Sequence, residues 1–110
     1  PHLASQDVQA TLTELTAVSC AQAIQTSMPQ CESLMVCGGG ALNHHLMARL
    51  QAALPRLRVT SSAQHGLPPL QVEATAFAWL ARQTILRKTG SVQSVTGARG
   101  ARILGGIYPA

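Results

Sequence analysis

Apolar residues recur with a helical period along the first quarter of the chain, and they fall on two faces. This pattern predicts a helix with Ser5 as its N-cap, Asp7 in its first turn and an end near Met28. The two apolar sides consist of Val8, Leu12 and Leu15, and of Ala17, Cys20, Ala21, Ile24 and Met28. Because both sides are apolar, we expect neighbouring layers or domains to cover this helix from two directions.

A strand–helix–strand pattern follows. Residues 33–37 form a short apolar run between Glu32 and three glycines, which is typical of a buried strand in a parallel sheet. A second helix is predicted over about 42–53, before Pro55, and a second strand over 57–61. A connection of this length implies a right-handed parallel crossover. The predicted fold class is therefore α/β, with parallel strands and packed helices.

The last third of the chain predicts one more helix and an irregular tail. Residues 71–88 are apolar nearly all round, which favours a core position, and Gly90 is the expected stop. The segment from Ser91 onward has no clear period, so we expect an irregular extension packed on the body. Two strands make a poor sheet, so neighbouring strands are expected from residues outside this chain or from another copy of it.

The sharpest motif is the glycine run Gly38, Gly39 and Gly40, with Asn43 shortly after it. Glycine lets the backbone turn tightly and approach a ligand closely. A helix N-terminus behind such a turn favours a phosphate or the ribose end of a nucleotide. A purely structural turn is the alternative. The run is not a Walker loop, and it fits the Rossmann fingerprint poorly because Asn43 replaces the third glycine.

Composition narrows the classes of function. Of the 110 residues, 46% are hydrophobic and 11% are charged, which argues against a disordered chain. The net charge is +4 with only three aromatic residues, so nucleic-acid binding is weakly supported, while anionic ligands stay open. No run reaches the roughly 18 apolar residues of a membrane span, and no signal segment is recognised. The default expectation is a cytoplasmic protein without a membrane partner.

Other polar residues carry weaker signals. The number and spacing of Cys20, Cys31 and Cys37 fit neither a disulfide framework nor a zinc site, so free, mostly buried thiols are expected. The side chains of His44 and His45 diverge by about 100° on a helix, which argues against a shared metal. We predict no metal ligand and no catalytic residue within this chain.

Several segments in one collinear order resemble a known family. Residues 36–43, VCGGGALN, are similar to the adenosine-side loop of actin/hexokinase-like kinases. Residues 7–17 and 73–81 resemble the helices before and after that loop in anhydro-N-acetylmuramic acid kinases. Residues 95–98 and 104–109 are similar to the C-terminal end of that family. The chain therefore resembles the C-terminal piece of such a sugar kinase.

The resemblance implies an enzyme that uses ATP and Mg²⁺. Such kinases open the 1,6-anhydro ring of anhydro-N-acetylmuramic acid with water and phosphorylate the sugar at O6, which feeds peptidoglycan recycling. The implied fold is two ribonuclease-H-like domains around a cleft, with residues 1–110 as the C-terminal part of the second domain. The glycine run and Asn43 would line the nucleotide side.

The resemblance also gives Glu73 a place near the sugar, although a carboxylate there is equally explained by the dipole of its helix. The family's phosphate segments and catalytic aspartate are expected outside this chain, whose one aspartate, Asp7, belongs to a helix. The piece alone is therefore expected to be inactive.

Three functions are compatible with the sequence. The chain is part of an ATP-dependent kinase, a nucleotide-binding or regulatory module without chemistry, or a basic interaction domain for nucleic acid that rests on charge alone. Exposed apolar surface on such a piece would favour self-association, a homodimer included.

Overall fold

The first helix, α1, spans Ser5–Ser27 in the computed structural model, which describes residues 3–109. The prediction of Ser5 as N-cap is wrong, because the carbonyl of Ala4 already accepts hydrogen bonds from Asp7 and Val8. Ala4 is therefore the N-cap, and Ser5 is the first helical residue. Asp7 lies in the first turn, as predicted, where the helix dipole favours a carboxylate.

The two apolar faces of α1 have different surroundings. One face is buried at Ala17, Ala21 and Ile24. On the opposite face, Leu12 and Leu15 remain 52% and 62% exposed. Within the described chain, α1 is therefore covered from one of its two apolar sides, and the cover for its outer face stays a prediction.

Two short strands form a parallel sheet, which confirms the α/β prediction. Strand β1 spans Ser33–Val36 and strand β2 spans Arg58–Ser61, with Leu34 opposite Val59. The expectation that β1 is a buried strand is wrong within the described residues, since Met35 is 52% exposed. Leu34 and Val59 pack against the core beneath α1, so one face of the sheet is covered.

The second helix, α2, spans His44–Ala53 and connects the two strands. It begins two residues later than predicted, because a 3-10 turn at Gly39–Leu42 separates it from β1. Just beyond its C-terminal end, Leu54 is 1% exposed and forms a buried cluster with Ala21 and Ile24 of α1. Burying a leucine contributes roughly 1.5–3 kcal/mol, so this cluster anchors the C-terminal ends of both helices.

After β2, two further 3-10 turns occupy Ser62–His65 and Pro69–Gln71. The third helix, α3, follows at Val72–Ile85. The chain divides into two compact units, with the boundary in sequence between Val72 and Glu73, so most of α3 belongs to the second unit.

Helix α3 does not form the core that its apolar sequence predicts. Phe77, Trp79 and Ile85 are 63%, 51% and 70% exposed. Within the part of α3 that belongs to the second unit, the less exposed residues are Leu80, Gln83 and Thr84. There the hydroxyl of Thr84 donates a hydrogen bond to the carbonyl of Leu104.

The end of α3 also differs from the prediction. Gly90 is not the stop, because the helix ends at Ile85 and Arg87 adopts the left-handed conformation with φ 52°. The N–H of Lys88 donates to the carbonyl of Gln83, which is the bond that closes a helix of this kind. A four-residue helix, α4, follows at Gln93–Thr96, and the rest of the tail is irregular, as predicted.

Candidate functional site

The glycine run follows β1 directly and begins with a backbone conformation that side chains disfavour. Gly38 has φ 72° and ψ −169°, a region that is occupied almost only by glycine. Its N–H donates to the carbonyl of Pro69 at 3.0 Å, and its carbonyl accepts from the N–H of Ala41 at 3.2 Å. The turn itself therefore explains why residue 38 is glycine.

Gly39 lacks such a structural reason. Its φ is not in the left-handed range, and a Cβ at this position would meet no heavy atom within 4 Å. At Gly40, a Cβ would reach ordinary contact with Leu46 at 3.4 Å. Bare backbone at Gly39 thus faces open space, which is the condition for close approach of a ligand.

Asn43 connects the turn to α2. Its N–H donates to the carbonyl of Gly40 at 3.1 Å, and its Oδ1 accepts the N–H of Leu46 at 3.1 Å. It is therefore the N-cap of α2, a position where Asn is among the preferred residues. The sequence pattern did not assign this capping role, and it leaves the side-chain N–H₂ group as the part of Asn43 that is able to donate to a ligand.

An open cavity of about 440 Å³ lies beside Asn43 and is lined by residues of α1 and of the first turn of α2. Its walls consist of Ser5, Gln6, Gln9, Ala10, Thr13, Asn43 and His45. Most of these residues carry a hydroxyl, amide or imidazole group, and none carries a carboxylate. The cavity therefore opens to solvent along the N-terminal parts of the two helices.

An ion pair joins α1 to α2, and the sequence pattern did not predict it. Nε of Arg49 lies 2.6 Å from Oε2 of Glu14, and Nη2 lies 3.0 Å from Oε1, so the pair is bidentate. The hydrogen bond from Arg49 and its charge lower the pKa of Glu14 against a smaller opposing effect of desolvation, and His45 lowers it further. The same hydrogen bond raises the pKa of Arg49. No sequence signal was available, because 35 positions separate the two residues.

Glu73 lies exposed in the first turn of α3, where its charge suits the helix dipole. It belongs to the second compact unit, whereas the glycine run belongs to the first. Its predicted place near a sugar therefore stays a prediction.

The remaining candidates show no assembled metal site. Within residues 3–109, His, Cys, Asp and Glu side chains form no group of three or more that would hold a metal ion. The three cysteines are free, as predicted, but the expectation that they are mostly buried is wrong, because Cys20 and Cys31 are half-buried and Cys37 is exposed. In the described part of the chain, no helix combines the length and apolar character needed to cross a membrane.

Known proteins resemble this chain along its whole length. The family described as anhydro-N-acetylmuramic acid kinase matches residues 1–110. The protein of that name from Albidiferax ferrireducens is 67% identical over 98% of this chain and 28% of its own length. Its counterpart from Variovorax paradoxus is 61% identical over 97% of this chain and 28% of its own length. The one from Pseudomonas paraeruginosa is 49% identical over 100% of this chain and 30% of its own length.

The chain thus spans less than a third of the length of these relatives. Its parallel strands and packed helices are consistent with a partial actin-like kinase domain. Because the family match includes every residue and the relatives agree with it, the chain belongs to the anhydro-N-acetylmuramic acid kinase family.

Proposed function

We propose that this chain is the nucleotide-side part of an ATP-dependent kinase that hydrolyses and phosphorylates 1,6-anhydro-N-acetylmuramic acid. The product would be N-acetylmuramic acid 6-phosphate, in cytoplasmic peptidoglycan recycling. Family membership supports the proposal. The structural observation that carries it is Gly39, whose missing side chain neither backbone conformation nor packing explains. A nucleotide lying against this bare backbone would explain it.

The proposal gives each site residue a separate role. Gly38 shapes the turn, while Gly39 and Gly40 bring bare backbone against the ribose or phosphate end of ATP. Asn43 would donate from its side-chain N–H₂ group, because its Oδ1 is occupied by the N–H of Leu46. Glu73 would approach the sugar in the assembled enzyme.

Magnesium and the catalytic base belong elsewhere in this proposal. Hydrolysis of the anhydro ring needs a positioned base, and phosphoryl transfer needs held Mg²⁺. Residues 3–109 do not fit that requirement, because they assemble no cluster of three metal-ligating side chains. We therefore assign both groups to the larger part of the family's chain. Residues 1–110 would be the C-terminal part of the second ribonuclease-H-like domain, inactive alone.

A nucleotide-binding module without chemistry is the second candidate function. It rests on the same open backbone at Gly39, and it needs no catalytic base or metal site. It differs from the kinase proposal in one consequence, since it predicts that the 110 residues bind ATP alone.

Calorimetric titration with ATP tests both functions. We would measure the chain alone and a full-length chimera in which it replaces the matching segment of the Albidiferax ferrireducens relative. Each is compared with its Gly39→Asp variant. Gln30→Asp is the matched control, because it adds the same charge at an exposed turn that precedes β1.

The kinase proposal expects the chimera to bind ATP and phosphorylate the anhydro sugar, with both activities lost in Gly39→Asp and retained in Gln30→Asp. ATP binding by the chain alone would favour the module. An inactive chimera beside an active relative, or full binding by Gly39→Asp, would overturn the kinase proposal.

A further inference from the structure

The two ends of α2 are held in different ways. Its C-terminal end is followed by Leu54, which is buried with Ala21 and Ile24 of α1. Its N-terminal end carries Asn43 and the glycine run, and there residues of both helices line the open cavity of about 440 Å³. Apolar burial along this segment is therefore deepest at Leu50 and Leu54, whereas Leu46 in the first turn of α2 is only half-buried and His44 and His45 are exposed.

The Glu14–Arg49 pair lies between these two ends. Arg49 is six residues beyond Asn43, and Glu14 follows Thr13, which lines the cavity. Within residues 3–109, the structure shows one ion pair, and it is the pair of Glu14 and Arg49. Two N–H···O bonds at 2.6 and 3.0 Å define the orientation of both side chains, as one bond would not.

Stability alone is a poor explanation for this pair. Its side chains are 42% and 44% exposed, and ion pairs at such positions add little to folding because water and salt screen them. The bidentate geometry of the pair, in contrast, restricts how α2 tilts against α1. A change in that tilt would move Asn43 and the glycine run, because both are joined directly to the first turn of α2.

We propose that Glu14 and Arg49 are positioning residues, which hold the N-terminal end of α2 at a fixed distance from α1 and thereby preorganise the glycine run for the nucleotide. This inference rests on the proposed function. Neither residue needs to contact ATP. Preorganisation of this kind improves binding by reducing the ordering that the ligand must impose.

The test uses the full-length chimera with Glu14→Gln, Arg49→Gln and the double variant. Arg56→Gln is the matched control, because Arg56 is exposed on the same unit and forms no ion pair among the described residues. Steady-state kinetics with ATP and with the anhydro sugar would be measured, together with the melting temperature.

We expect each single variant to raise KM for ATP by about tenfold, since small misplacements of binding groups have effects of this order or larger. KM for the sugar and the melting temperature should change little. The double variant should be no worse than either single one, because both remove the same interaction. Equal effects on both substrates, or a fall in melting temperature without a change in KM for ATP, would overturn the proposal.

Hydrogen exchange gives a measurement that does not depend on activity. The N–H groups of Ala41 and Asn43 donate within the turn, to the carbonyls of Gly38 and Gly40. Loosening of the turn in Glu14→Gln should make both amides exchange faster, while the N–H of Leu54 should keep its rate. Unchanged exchange at Ala41 and Asn43 would overturn the positioning role, whereas an inactive chimera with faster exchange would refute only the kinase proposal.

Discussion

The N–H of Gly38 lies 3.0 Å from the carbonyl oxygen of Pro69 and donates a hydrogen bond to it. This bond joins the turn after β1 to the segment after β2, on the side of the sheet where both strands end. The ring of Pro69 fixes the φ of the accepting residue, and Gly38 adopts a φ of 72° within this hydrogen-bonded turn. Gly39 therefore starts from a fixed point, although its own surroundings are open.

This difference between neighbouring glycines predicts opposite effects of the same substitution. Gly38→Ala should lower the free energy of unfolding by about 1–3 kcal/mol, because alanine disfavours that backbone region. Gly39→Ala should leave it nearly unchanged, since the new methyl group meets no atom within 4 Å. Urea denaturation of both variants would check the expectation, and equal losses of stability would contradict it.

Local rules predicted the elements from the sequence but not all of their limits. Pro29 and the glycine run bounded α1 and β1 correctly to within a few residues, because these residues break regular structure wherever they occur. Ser5 failed as an N-cap because cap preference is a tendency, and the first accepting carbonyl belongs to Ala4. Arg87 was not foreseen as a helix stop because glycine usually fills the left-handed position.

Burial and the site were less predictable, because both depend on groups that are distant in sequence. The apolar sequence of α3 predicts burial, yet Phe77 is 63% exposed, since burial also requires a neighbouring layer. Gly39 was identified as a candidate from its motif alone. The Glu14–Arg49 pair, however, forms only when α1 and α2 pack together, so no local sequence pattern predicts it.

The two roles of Asn43 can be separated by substitution. Asn43→Ala should destabilise the chain by about 0.5–2 kcal/mol, because the N–H of Leu46 loses its cap. Asn43→Asp keeps an accepting oxygen, so it should preserve stability and yet weaken ATP binding, because the donor group is lost and a negative charge is added. Chemical denaturation and ATP calorimetry on both variants would test this. Unchanged ATP affinity in Asn43→Asp would show that Asn43 caps α2 and does not bind ATP.

Acid should remove the contribution of Glu14. Its pKa is lowered in the folded protein, chiefly by the hydrogen bond and charge of Arg49, so the carboxylate form favours folding. That contribution is fully present above the pKa of Glu14 in the unfolded chain and is lost as the pH falls through the folded pKa.

The difference in unfolding free energy between the unmodified chain and Glu14→Gln, which is small because the pair is exposed, should accordingly be largest near neutral pH. It should shrink as the pH falls through the ordinary range of a glutamate and below it. Denaturation curves across that range would show this, and added salt should reduce the neutral-pH difference because the pair is exposed. A difference that grows on acidification would contradict the assigned ion pair.

The outer face of α1 predicts association between copies of this chain. Leu12 and Leu15 are 52% and 62% exposed on one side of the helix, and an apolar face of this kind is stabilised by leaving water. Replacing both leucines by glutamine should therefore lower the mean mass measured by light scattering over a concentration series. The control replaces the exposed Ala48 and Ala52 of α2 by glutamine, which adds the same polar groups and removes no large apolar side chain. If both double variants associate as strongly as the unmodified chain, another surface drives self-association, and the apolar face of α1 is not a contact between copies.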